Sequence, residues 1–193
     1  MKKALIGLIC ILIAKATVAQ QNLLSFDEHN KYIYYQVVSM PGLSADSLHQ
    51  RGAYFLKAVY PKTVVKQLSG EALEGDGKFL VYGGISVLKH EKGEITYQVN
   101  IEFKDQKYRF WLTNFVFTPY VRDRYGNFVP QQGIDIPLEQ VTDKLQKMDA
   151  TGYLDETGAF CKQFDDKLKN YLLKKPEPPK KEEITKKVVT DKW

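Results

Sequence analysis

The chain has 193 residues, 44 % of them apolar, which is enough for one domain with a proper core plus terminal segments. Its formal charge of +5 sits at the ends: Lys2, Lys3 and Lys15 lie in the leader, and Lys174 to Trp193 holds seven lysines against four acids. The body between them is close to neutral, so composition gives no electrostatic reason to expect nucleic acid as a partner.

Met1 to Ala19 reads as a secretory signal peptide. Lys2 and Lys3 form a positive start, Ala4 to Ala14 is an apolar run, and Thr17-Val18-Ala19 ends it with small residues. The run is too short and wrongly flanked for a transmembrane helix, so no transmembrane anchor is expected. Cys10 follows Ile9 inside the run, and no cysteine stands at the cleavage point, which argues against a lipid anchor. Removal of the leader leaves Cys161 as the one cysteine, so no internal disulfide is expected. The expected location is exported, periplasmic or secreted.

Tyr32 to Val38 is rich in Tyr, Ile and Val and predicts a first strand. Pro41-Gly42 ends it. Ser44 to Tyr60 has helical spacing, with Leu48, Gly52, Phe55 and Val59 on one face, Ser44 as cap and Pro61 beyond the end. Thr63 to Leu68 is a second strand. Lys78 to His90, Glu94 to Lys104 and Lys107 to Thr118 follow as three long strands. Residues 119–152 hold three prolines and three glycines, with a short helix expected from Leu138 to Met148. This connection is longer than usual and is expected to be partly structured or functional. Asp155 to Leu173 is a helix with a stripe of Phe160, Cys161, Phe164, Leu168, Tyr171 and Leu172. Residues 175–193 are lysine- and proline-rich and read as a disordered tail. The expected organisation is a leader at 1–19, a single α+β domain at 20–174 and the tail at 175–193.

Two loops set a predicted register. His90-Glu91-Lys92-Gly93-Glu94 reads as a three-residue hairpin loop that pairs Val87 with Tyr97, Ile85 with Val99, Gly83 with Ile101 and Val81 with Phe103. Asp105-Gln106 reads as a two-residue turn that pairs Phe103 with Tyr108, Ile101 with Phe110, Val99 with Leu112 and Ile95 with Val116. Apolar side chains meet on one face in both hairpins, and a slip by one residue would turn polar groups inward. The opposite face then carries Glu102 against Arg109, Asn100 against Trp111, Gln98 against Thr113 and Thr96 against Phe115. Tyr82, Gly84, Ser86 and Leu88 join it, as does Phe117. Aromatics among Asn, Gln, Ser and Thr on a sheet face mark a candidate contact surface, unless the 119–152 connection folds over it.

The strand Tyr32-Ile33-Tyr34-Tyr35-Gln36-Val37-Val38, the helix with Leu48, Arg51 and Ala53, and the stretch Lys104-Asp105-Gln106-Lys107-Tyr108-Arg109-Phe110 together resemble domain of unknown function 4468. This family consists of small exported Bacteroidetes proteins. The resemblance runs from about Phe26 to Phe117. It implies a TBP-like α+β fold, β-α-β(4)-α, with a curved antiparallel sheet and two helices on one face. It implies no activity and no functional residues.

Candidate chemistry is sparse. His29, His49 and His90 lack metal-ligand spacing, so no metal and no cofactor are expected. Cys161 lies on an apolar helix stripe with no base to activate it. Gly75-Asp76-Gly77 and Gly83-Gly84 do not open a helix and carry no P-loop lysine; the first reads as a turn, the second as a bulge or as room for Trp111. Arg122-Asp123-Arg124-Tyr125-Gly126-Asn127 is a charged turn in the long connection and a candidate binding loop. The expected function is a non-enzymatic exported binding or accessory module, with no catalytic residues. Its binding residues are Tyr82, Gln98, Asn100, Arg109, Trp111 and Phe115 on the sheet, with Arg122, Arg124 and Tyr125 in the connection. The expected partner is a protein, peptide or envelope ligand, or a second copy of the chain through the open sheet face. The alternative is a small envelope hydrolase using carboxylates such as Asp123 and Asp135.

Overall fold

The computed structural model describes residues 23–69, 71–83, 90–145 and 147–174. The predicted leader and tail lie outside these residues, as do Gly84 to Leu88, with the pairings and the open-face positions expected for them. The strands are β1 (Ser25–Phe26), β2 (Tyr32–Ser39), β3 (Val64–Ser69), β4 (Ala72–Gly83), β5 (His90–Lys104), β6 (Lys107–Arg122), β7 (Phe128–Pro130) and β8 (Ile136–Pro137). The helices are α1 (Ala45–Val59), α2 (Val141–Lys144), which follows a 3-10 turn at Leu138–Gln140, and α3 (Lys147–Leu173). The strands form one open antiparallel sheet in the order β1-β2-β6-β5-β4-β3, with β7 and β8 also paired to β6. The predicted α+β order of strand, helix, four strands, helix holds, with three short strands and one short helix added.

α1 starts where its sequence places it. Ser44 accepts from the Ser47 N–H at 3.3 Å, and Asp105 in the β5–β6 turn accepts from the Ala45 N–H at 2.9 Å. The cap therefore ties the helix to the hairpin end of the sheet. Its buried face is Leu48, Gly52, Phe55 and Leu56; Val59, expected inside, is 36 % exposed in the last turn. A Cβ on Gly52 would stand 2.5 Å from the Phe103 ring, so glycine lets the helix touch the sheet.

α3 starts eight residues earlier than predicted. The reason is packing: Ala150 and Tyr153 are buried, and Tyr153 stacks on Phe117 with centroids 4.3 Å apart. Thr157, Cys161, Phe164, Leu168 and Leu172 continue the stripe. The predicted helix from Leu138 to Met148 is broken into the 3-10 turn, α2 and the start of α3. Between α1, α3 and the sheet lies an aromatic core, with Phe164 against Phe55 at 5.3 Å and Phe160 stacked on Phe79 at 4.1 Å.

The β5–β6 turn has the predicted register, with Phe103 opposite Tyr108, Ile101 opposite Phe110 and Glu102 opposite Arg109. Gln106 takes φ +62° in that turn. The β4–β5 register is different: Val81 meets Gly93 and Leu73 meets Ile101. The predicted loop at Glu91 to Gly93 is thus inside β5, and Gly83 pairs with His90. The slip is ten residues as far as Val81, an even number, so the side chains there keep their predicted face; Lys92 is an extra residue in β5, which makes the slip eleven at Tyr82 and Gly83. Gly75-Asp76-Gly77, read as a turn, is strand. At Gly93 a Cβ would meet Phe117 and the Thr118 carbonyl at 2.5 Å, so close packing, not a turn, explains this glycine.

β6 holds a bulge. Gln98 meets Thr113 but Thr96 meets Val116, so Asn114 and Phe115 together oppose Tyr97. Asn114 takes φ +53°, a conformation Asn tolerates better than most residues. The extra residue reverses the alternation. Phe115 and Phe117, predicted on the open face, are 1 % exposed and lie in the core, and Ile95 pairs with Phe117 instead of Val116.

Candidate functional site

The helices cover the face of Tyr97, Val99, Ile101, Phe103, Tyr108, Phe110 and Leu112; the opposite face is open. Its centre is built from paired strands. Tyr35 of β2 is opposite Trp111 of β6, which is opposite Asn100 of β5. One step along, Val37 is opposite Arg109, which is opposite Glu102. The Tyr35 and Trp111 rings lie 6.4 Å apart, and the Arg109 Cζ lies 5.6 Å from the Trp111 ring centroid. Arg109 donates to Glu102 from Nε at 2.7 Å and from Nη2 at 2.6 Å. Hydrogen bonds to Glu102 and then Tyr35 push the guanidinium pKa further up. Tyr35 is 47 % and Val37 58 % exposed, while Trp111 is half-buried beneath its neighbours.

A line of side-chain hydrogen bonds crosses the same face. Lys31 donates to Asn114 at 2.6 Å, Asn114 to Gln98 at 2.8 Å, and Gln98 to Glu74 at 2.7 Å. Gln98 is therefore engaged within the sheet. A shallow groove of about 220 Å³ opens at the hairpin end, lined by Val37, Glu102, Lys104, Lys107, Tyr108 and Arg109. The face thus offers an aromatic pair, an ion pair that orients it, and lysines at one end.

The remaining expected site residues are elsewhere. Tyr82 pairs with Glu91 at the far end of the sheet, beyond the reach of Trp111. Near it, Glu94, expected at the start of a strand opposite His90, pairs with Leu80 instead, is 8 % exposed and accepts from Lys78 at 2.8 Å and Tyr120 at 2.9 Å. Burial and the bond to Glu94 push the Tyr120 phenol up to about 12. Gly83 pairs with His90, and a Cβ there would meet Lys92, so it does not make room for Trp111. Arg122 and Arg124 lie over Phe128 and Tyr125, at 5.0 and 4.9 Å, on the β6–β7 hairpin. That hairpin lies roughly 35 Å along β6 from Trp111, so the expected residues make two separate groups rather than one.

The 119–152 connection leaves the open face uncovered. β8 adds to β6 beside the bulge, and Leu138 and Val141 enter the core. The two carboxylates named for hydrolysis are engaged. Asp123 accepts from the N–H groups of Tyr125 and Asn127, at 2.8 and 2.9 Å, and these bonds hold its pKa below the usual value. Asp135 accepts from Thr118 at 2.6 Å. Burial pushes the Cys161 thiol far up, and its side chain is closed off in the core. His29 lies beside Glu28 at the surface, His49 packs edge-on against Phe103, and His90 stacks on Phe128. Among the described residues no three His, Cys, Asp or Glu side chains come close enough to share a metal ion, and no helix is long and apolar enough to cross a membrane.

Tyr35 and Val37 were not among the expected site residues. Their strand is apolar on both faces, so its alternation carries no signal; pairing to β6 reveals which side they occupy.

Comparison with known proteins bears out the resemblance. Residues 34–118 match the family described as Domain of unknown function (DUF4468) with TBP-like fold. A TBP-like protein from Parabacteroides distasonis ATCC 8503 superposes with a TM-score of 0.60 at 14 % identity, over 77 % of this chain and 96 % of that one. A DUF4468 family protein from Bacteroides ovatus ATCC 8483 superposes with a TM-score of 0.59 at 14 % identity, over 81 % and 94 % of the two chains. At this identity the likeness establishes the fold, TBP-like with a large open curved sheet. No curated protein matches.

Proposed function

We propose that this TBP-like chain is an exported, non-enzymatic binding or accessory module that takes its partner on the open sheet face. The observation that carries the reading is the uncovered cluster of Tyr35, Val37, Arg109 and Trp111, with Glu102 fixing the arginine. Aromatic residues and arginine are the groups that dominate protein contact surfaces, and an arginine already held by a carboxylate loses little side-chain freedom on binding. The leader read from Met1 to Ala19 supports an envelope location.

A photo-crosslinking residue placed at position 35 or 111 of the chain in its native envelope tests the reading. The same adduct is expected from both positions and not from position 54 on the outer side of α1. Excess wild-type chain competes it away, and the Trp111→Ala chain does not. Equal labelling from all three positions would refute the reading. Export is tested separately by fusing residues 1–25 to a periplasm-dependent phosphatase; an inactive fusion would remove the localisation from the proposal.

A further inference from the structure

The two edges of the sheet are finished differently. β3 carries Lys66 and a register break between Gln67 and Ser69. A charge and a bulge both keep an edge strand from pairing with another chain. β2 has neither. Its eight residues, Tyr-Ile-Tyr-Tyr-Gln-Val-Val-Ser, include no charge, no proline and no glycine, and β1 pairs only with Tyr32 and Ile33. Neighbours fix where the remaining backbone groups point. Glu139 accepts from the Tyr32 N–H, Thr113 donates to the Tyr32 carbonyl, and Met40 donates to the Gln106 carbonyl, all on the β6 side. Alternation then turns Tyr34, Gln36 and Val38 toward β6 and Tyr35, Val37 and Ser39 outward. Three N–H and three C=O groups line this edge between β1 and the turn at Pro41.

We infer that this edge pairs with the same edge of a second copy, antiparallel about a two-fold axis at Val37. Register favours this occupant. With Val37 opposite Val37 and Tyr35 opposite Ser39, every outward residue of one copy meets an outward residue of the other. A shift by two residues leaves one unpaired in each copy and drives the strand into β1 or into the turn at Pro41. Charge and size agree: two uncharged strands meet without repulsion, and the large Tyr35 lies beside the small Ser39. Area sets the strength. The backbone pairing, Tyr35, Val37 and the 58 % exposed Phe26, which falls beside the other copy's turn, bury less than the ~800 Å² per partner of a standard stable complex. The dimer is therefore concentration-dependent. The pairing takes up Tyr35 and Val37 at the border of the face proposed above and leaves Trp111 and Arg109 open.

The test uses the chain from Gln20 to Trp193, which contains every described residue. Sedimentation velocity is expected to show a monomer–dimer equilibrium below about 1 mM. Amide exchange at Tyr35, Val37 and Ser39 slows as concentration rises. Val37→Lys sets two ammonium groups opposite each other and weakens the dimer at least about tenfold, as does Val37→Glu with two carboxylates. Both changes fall on an exposed side chain, and mixing the two variants restores a heterodimer. Three results would overturn the inference: a monomer throughout the range; a dimer indifferent to both variants; or slow exchange at these amides that is independent of concentration and lost on removing residues 175–193, which would assign the edge to the chain's own tail.

Discussion

Trp111 is where the open face can be tested one residue at a time. It is half-buried beneath Tyr35 and Arg109 and not under the 119–152 connection, so Trp111→Ala is expected to cost about 1–2 kcal/mol, less than the ~3–5 kcal/mol of a core aromatic. Urea denaturation measures this, and a core-sized loss would mean the indole is structural. The Arg109–Glu102 pair is well oriented but solvated, so a double-mutant cycle with Arg109→Ala and Glu102→Ala should give a coupling of about 0.5–1 kcal/mol. Cys161 should react with a thiol reagent only as the chain unfolds, because burial both raises its pKa and closes it off. Labelling at the rate of a free thiol in the native protein would contradict this.

The elements show what a sequence can and cannot carry. The β5–β6 hairpin was legible because a two-residue turn fixes the register and both strands alternate clearly from Val99 to Tyr108. The β4–β5 hairpin was not, because the inward face of β4 holds only glycine and apolar residues, Leu73, Gly75, Gly77, Phe79, Val81 and Gly83, and fits β5 at several even offsets. The chosen glycine, Gly93, fits a loop as well as it fits the space beneath Phe117. The bulge at Asn114 was illegible for another reason: Thr113-Asn114-Phe115-Val116 reads as ordinary alternation, and only the start of α3, with Tyr153 on Phe117, shows that Phe115 and Phe117 belong to the helix-side core. Two predictions test these elements. Gly52→Ala should destabilise the fold by about 1–3 kcal/mol, since the new methyl overlaps the Phe103 ring. Deleting Asn114 removes the extra residue, turns Phe115 and Phe117 toward solvent, and should prevent cooperative thermal unfolding. A native-like transition after that deletion would show that the bulge does not set the faces of β6.

For the whole molecule, buried phenols set the alkaline limit. Burial pushes Tyr34, Tyr97 and Tyr108 far up and Tyr60 to about 12, while in the unfolded chain each titrates near 10. The folded state therefore keeps protons that the unfolded chain gives up. This stabilisation is complete below pH about 10 and is lost as the pH climbs from there through the folded values. Thermal midpoints should be level from about pH 7 to 9 and fall steeply above about 10; a level profile to higher pH would mean the phenols ionise in place. The tail is expected to contribute nothing to folding, so truncation after Lys174 should leave the midpoint unchanged. The strand order has a consequence in time. β2, the first long strand, finds its partner β6 only after some seventy residues of intervening chain, across the whole of α1, β3, β4 and β5. A chain that emerges N-terminus first holds an uncharged, tyrosine-rich strand without its neighbour until β6 arrives. Closing so long a loop is entropically slow, so docking of β2 onto a preformed β5–β6 hairpin is expected to limit the folding rate, and substitutions in β2 should slow refolding less than equal losses within the β5–β6 hairpin.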